Sequence, residues 1–117
     1  PEGSCVSKGK TVFKVESTPK RDNWWYDKRV SYVDTTSYAD YRTDFFKDGS
    51  KIKTIDRDWT SFKMDDPRAQ YWGYWYGKTH TTGHETWAVI PAKVVTKDDK
   101  KLKPSLWSEK TLRKIKR

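Results

Sequence analysis

The chain has 117 residues, enough for one domain, and its 33% apolar against 35% charged residues rule out a thick two-sided core. Phe, Trp and Tyr make up 15% of it, and such rings bury much area while keeping a polar tip at the rim, which suits a sheet buried on one face. The formal net charge is +9, but residues 93–117 hold ten Lys and Arg against three Asp and Glu, so the excess belongs to the C-terminal end and the body is nearly balanced.

No run reaches the roughly 18 continuous apolar residues of a membrane-spanning helix, and no signal-peptide core is visible. The sequence starts at Pro1, which reads as a processed chain or as part of a longer protein. Residues 1–10 read as a flexible N-terminal segment and 11–117 as the folded domain. The single Cys5 excludes an internal disulfide framework and cannot alone make a cysteine-based zinc site. It reads as an incidental thiol, with lipid attachment or an intermolecular disulfide as the sharper alternatives.

In chain order, "TVFKVE" from Thr11 to Glu16 alternates apolar and polar residues and is closed by Ser17-Thr18-Pro19, a first strand and turn. Trp25 to Asp34 alternates again, with Val30 and Tyr32 on one face and Arg29, Ser31 and Val33 on the other. Tyr41 to Lys47 predicts a third strand. "KDGS" at 47–50 supplies an Asp-Gly turn onto a fourth strand, Lys51 to Ile55. Pro67 in "KMDDPRA" marks a loop. In 70–78, "QYWGYWYGK", strict alternation puts Trp72, Tyr74 and Tyr76 on one face and Tyr71, Gly73, Trp75 and Gly77 on the other. "TTG" turns the chain at Gly83, and "TWAVIPAKVV" continues as a sixth strand interrupted at Pro91. Ser108 before "EKTLRKIKR" offers an N-cap with an acidic first turn and a basic last turn, a short helix.

The expected fold is therefore mainly β, a curved antiparallel meander of about six strands, an incomplete barrel, with a short C-terminal helix. Its rings should line one side of the sheet and its charges should point outward.

The ordered motifs resemble the outer-membrane lipoprotein-sorting proteins of Gram-negative bacteria, the LolA-like group. A strand ending in V-W-I-D in that family is matched by "VSYVD", 30–34, and its hairpin R-E-Y-Y-D-x-x-G-K-x-x-K-T by "RTDFFKDGSKIKTI", 42–55. The second half of M-x-N-x-x-T-G-H-x-T is matched by "TTGHET", 81–86, and the closing F-x-x-x-x-L-x-R helix by "LWSEKTLRKI", 106–115. The matched motifs run in order over nearly all the chain from Thr11. The resemblance implies a half-barrel whose concave side takes acyl chains of lipids or lipoproteins, without catalysis, in the periplasm or against the outer membrane. Family members carry further strands and helices before this region that plug the concave side. The chain is therefore expected to be the C-terminal half of such a protein, or to receive its cover from another chain.

Under this resemblance the ligand surface is the more aromatic face, with Tyr32, Phe45, Ile55, Trp72, Tyr74, Tyr76 and Trp87 as candidates. Burying an acyl chain is worth roughly 0.8 kcal/mol per methylene, and flat rings form an adaptable wall. The plainer alternative is that these rings form a core against the C-terminal helix. His80 and His84 flank a turn beside Glu85, but two histidines without a clear third ligand read as turn residues, and no metal or other cofactor is expected. A histidine with Glu85 and Arg68 as a ribonuclease-like triplet is weaker still, and no nucleophile triad or phosphate loop is present. The basic C-terminal segment fits an anionic membrane surface or an acidic partner protein. A basic, ring-bearing module for single-stranded nucleic acid is the alternative from another class, with lysines bordering the exposed rings as its mark, though nucleic acid is not the expected partner. An uncovered half-sheet would also tend to form a homodimer.

Overall fold

Asp48 and Gly49, at φ 50° and 78°, form the two-residue turn on which the sheet is registered. Both central residues of this turn type need positive φ, and Gly reaches it without a Cβ penalty. The turn closes on the pair Lys47↔Ser50 and folds β3 (Asp40–Lys47) onto β4 (Ser50–Ser61). The computed structural model describes residues 9–115, so Cys5 and most of the expected N-terminal segment lie outside the described residues. To this hairpin are added β1 (Val12–Ser17), β2 (Lys28–Asp34), β5 (Gln70–Thr79) and β6 (His84–Val89). The order is β1-β2-β3-β4-β5-β6, every neighbouring pair antiparallel, with β1 and β6 left as open edges. The fold is mainly β, a six-stranded meander that does not close, followed by one short helix, α1 (Glu109–Lys114).

The side chain of Asp34 builds the β2–β3 connection. Its Oδ1 accepts from the Thr36 and Ser37 amides at 2.8 Å each, and its Oδ2 from the Tyr41 hydroxyl at 2.8 Å. At the other end of the molecule the Gly83 amide donates to Thr79 O at 2.8 Å, joining β5 to β6.

Three expectations are corrected. β4 runs to Ser61 rather than ending at Ile55, because β5 pairs with it as far as Ser61↔Gln70 and supplies partners for a stretch whose own charges do not alternate. The sixth strand ends at Val89, before Pro91, whose missing amide cannot join a ladder, and Ala92–Val94 form a single 3₁₀ turn instead. The helix does not cover the rings: α1 packs against the 3₁₀ turn Pro104–Trp107 before it and contributes no buried residue.

The register defines two faces. Val30↔Asp44, Asp44↔Thr54, Asp56↔Tyr76 and Tyr76↔Trp87 are successive pairs on one, and Ser31↔Thr43, Thr43↔Ile55, Ile55↔Gly77 and Gly77↔Thr86 on the other. The charges do not all point outward. Asp44 and Asp56 are buried at 4% and 1% exposure on the same face as Tyr76 at 1%.

Candidate functional site

The Asp56 face carries a connected polar cluster at its centre. Asp44 Oδ1 accepts from the Thr54 hydroxyl at 2.7 Å, and its carboxylate is held by Arg42 Nε at 3.2 Å and Lys51 Nζ at 3.4 Å. Burial alone would raise the Asp44 pKa; the Thr54 and Arg42 hydrogen bonds and the two cations outweigh it and hold the carboxyl below its ordinary range. For Arg42, desolvation pulls the pKa down, yet the neighbouring Asp44 and Asp56 charges win and raise it. Arg42 Nη1 also stands 3.8 Å from Asp56 Oδ1, so one guanidinium serves both buried carboxylates.

Thr54 links this cluster to His80, whose Nε2 lies 2.8 Å from the Thr54 oxygen. A hydroxyl has one proton, and an ionised Asp44 can only accept, so Thr54 donates to Asp44 and His80 Nε2 carries the proton donated to Thr54. Further along, the Tyr76 hydroxyl donates to Glu85 Oε1 at 2.9 Å, and Lys78 Nζ is 3.8 Å from the same oxygen. The Tyr76 and Trp87 rings are 5.5 Å apart. Burial, then the Asp56 charge, raises the Tyr74 pKa.

The seven ring and aliphatic candidates do not share one face. Tyr32, Tyr74, Tyr76 and Trp87 belong to the Asp56 face, since Tyr32 pairs with Arg42, Tyr74 with Asp58 and Trp87 with Tyr76. Phe45 and Ile55 are on the opposite face. Phe45 is 8% exposed there under Trp25 and Tyr26, with ring centroids at 4.7 Å and 5.2 Å. Trp72 is separated from Tyr74 by a register shift: Asp58 pairs with Tyr74 and Trp59 with Trp72, so Gly73 is the extra residue and the alternation is reset. Trp72 therefore goes with Trp59, whose Nε1 donates to Asp40 O at 2.9 Å. Asp40 also receives Arg57 Nη1 at 2.8 Å.

The polar cluster itself escaped sequence reasoning. The available signal was Thr54 and Asp56 at alternate positions, which one register places beside Asp44. The two histidines are not drawn together on a metal: His80 bonds to Thr54, and His84 Nε2 lies 3.3 Å from Thr86 Oγ1. Arg68 is engaged by Asp66 at 2.8 Å rather than by Glu85. Among the described residues no three His, Cys, Asp or Glu side chains converge as metal ligands do.

What remains open to a ligand lies toward the β6 edge and on the outer segments. Trp87 is 51% and Val89 69% exposed beside half-buried Tyr74 on the Asp56 face, while Trp72 is 41% exposed beyond the shift. This is a floor cross-linked by the Asp44–Thr54–His80 and Tyr76–Glu85 hydrogen bonds, with rings standing at its margin, and among the described residues no nucleophile or acid–base pair is aimed at open space. No helix is long and apolar enough to cross a membrane among the described residues.

This architecture matches the crystal structure of a "putative outer membrane lipoprotein-sorting protein domain" from Vibrio parahaemolyticus, with a TM-score of 0.62 over 91% of the present chain at 18% identity. The fold is shared with a lipoprotein-sorting domain. The chain spans 43% of the length of that structure, so the likeness concerns less than half of the sorting domain. No protein-family model and no curated protein matches the sequence.

Proposed function

We infer that the chain is the sheet portion of a non-catalytic lipid or lipoprotein carrier of the outer-membrane sorting type, working in the periplasm or against the outer membrane. The observation that carries this reading is the shared six-stranded open meander, matched over 91% of the chain to a sorting domain. The local chemistry agrees with it. An apolar chain lying along the margin of the Asp56 face would cover Trp87, Val89 and Tyr74, each otherwise in contact with water, at roughly 25 cal/mol per Å² of apolar surface removed. The buried carboxylates are compensated from within the sheet, so they form a stiff floor and do not need the ligand as a partner.

The nucleic-acid reading is weaker for a specific reason. Rings that stack bases need a cationic rim for the phosphates. On the Asp56 face Trp87 and Tyr76 are instead accompanied by Glu85, Asp44 and Asp56, and Arg42, Lys51 and Lys78 are already directed at those carboxylates.

Native mass spectrometry of the chain purified from a Gram-negative host, with organic extraction and lipid analysis of any adduct, tests the proposal. A stoichiometric phospholipid or acylated peptide is the expected outcome. A bare protein that also fails to take up added fatty acid, and instead shifts with single-stranded RNA, overturns it.

A further inference from the structure

We propose that the C-terminal elbow, the 3₁₀ turn Pro104–Trp107 followed by α1, is an interfacial anchor for an anionic lipid surface. The elbow is built by hydrogen bonds and not by burial. Ser108 Oγ accepts from the Thr111 amide at 3.2 Å and donates to Ser105 O at 2.9 Å, and Thr111 Oγ1 donates to the same carbonyl at 2.8 Å. These bonds bring Leu106 and Trp107 beside Leu112 and Ile115 around an apolar cleft of about 430 Å³. The four side chains are 46%, 77%, 68% and 65% exposed, and α1 rests only its thin inner side on the preceding turn. The main packing partner of α1 is this preceding turn and not a strand of the sheet, which leaves the apolar set for an occupant from outside.

Charge selects that occupant. The ten Lys and Arg of residues 93–117 face three acidic residues, so a second copy of the segment would be repelled and an acidic surface attracted. Eight of those ten are Lys, and of the two Arg, Arg113 is engaged by Glu109. Lysine is a compact, hydrated charge on a long stem that snorkels to diffuse headgroups, whereas a defined carboxylate partner is best met by free arginine forks. Trp107 is the most exposed large apolar side chain among the described residues, and indole is the side chain best suited to the headgroup level. A basic, Trp-bearing amphipathic elbow of this kind lies in the membrane plane without crossing it.

This proposal stands apart from the carrier reading, because surface binding needs no ligand on the sheet. The test is cosedimentation of the full 117-residue chain with sucrose-loaded vesicles of phosphatidylcholine alone and of phosphatidylcholine with phosphatidylglycerol. The chain should pellet with the anionic vesicles and lose binding as salt is raised from about 0.1 M to 0.5 M, where screening shortens the reach of each charge. Lys110→Gln with Lys114→Gln should weaken partitioning about 25-fold, at about fivefold for each charge. Trp107→Ala with Leu112→Ala should weaken it by at least about tenfold with far-UV circular dichroism unchanged, since both side chains are exposed. A wild-type chain that stays in solution, or that elutes as a dimer and ignores vesicles, overturns the proposal. So does binding that is indifferent to the loss of Trp107 and Leu112.

Discussion

Thr54 hands its one hydroxyl proton to Asp44 at 2.7 Å and takes a proton from His80 Nε2 at 2.8 Å, so a single buried side chain ties β3, β4 and the end of β5 together. Thr54→Val keeps the shape and removes both bonds, taking a partner from the half-buried His80 imidazole and leaving Asp44 Oδ1 with Arg42 Nε at 3.3 Å as its remaining donor, a loss of about 1–3 kcal/mol. Thr54→Ser retains the hydroxyl and should cost less. Urea denaturation of the three proteins measures the difference, and a nitrogen NMR spectrum showing His80 protonated on Nε2 checks the direction of the chain of bonds.

Asp34 predicts an acid-sensitive fold. Hydrogen bonds from the Ser37 amide, the Tyr41 hydroxyl and the Thr36 amide hold its pKa down to about 2, against 3.8 for the ordinary group. A carboxyl with a folded pKa below its unfolded value stabilises fully above about 3.8, and that contribution disappears as pH falls through about 2. The urea midpoint should therefore fall between pH 5 and pH 2. Asp34→Asn should be less stable than wild type at pH 5 and show a shallower decline on acidification. Tyr41→Phe, which removes one donor, should lie between them. Equal slopes for wild type and Asp34→Asn would remove this carboxyl as a source of the acid sensitivity.

Gly77 predicts a packing limit. A Cβ built there would lie 2.7 Å from the outer edge of the Trp75 indole and meet two more of its ring carbons at 3.2 Å and 3.3 Å. The ring lies over the glycine, so Gly77→Ala must displace it and should destabilise by about 1–3 kcal/mol. Trp75→Leu in the Gly77→Ala background removes the collision, and the double variant should lose less than the two single changes add up to. A double-mutant cycle in urea reads that coupling.

The strands were legible in the sequence because alternation and the Asp48-Gly49 turn are local signals, and the meander order followed from short connections. The faces were legible only between register shifts. Val30 and Tyr32 fall on one side as alternation requires, whereas the extra residue at Gly73 moves Trp72 off the side that alternation gave it. The buried carboxylates were not legible, because what makes Asp44 and Asp56 acceptable inside is cross-strand. Arg42 is two positions from Asp44, but it meets Asp56 only through the β3–β4 register, and Thr54 meets His80 only through β4–β5. Sequence patterning treats an aspartate as a surface residue until such partners are known. The fold comparison with the lipoprotein-sorting domain adds the architecture and leaves these contacts to this chain's own residues.

The division of the aromatic residues between two faces predicts two different phenotypes. Phe45 is enclosed by Trp25 and Tyr26, so Phe45→Ala opens a cavity and should lower stability by about 3–5 kcal/mol. Trp87 stands half exposed on the edge strand with one flank against Tyr76, so Trp87→Ala should cost the fold far less. If the margin of the Asp56 face holds the acyl chain, Trp87→Ala should nevertheless weaken binding of a fluorescent fatty acid by about fivefold or more, since the indole contributes a large flat wall. Tyr76→Phe removes the hydroxyl bond to Glu85 and should lower stability by about 1 kcal/mol while leaving the fatty-acid affinity unchanged. Fatty-acid titration and urea denaturation on the same three variants separate the two roles: a Trp87→Ala protein with wild-type affinity would move the ligand away from this margin, whatever the stability of the Phe45 variant.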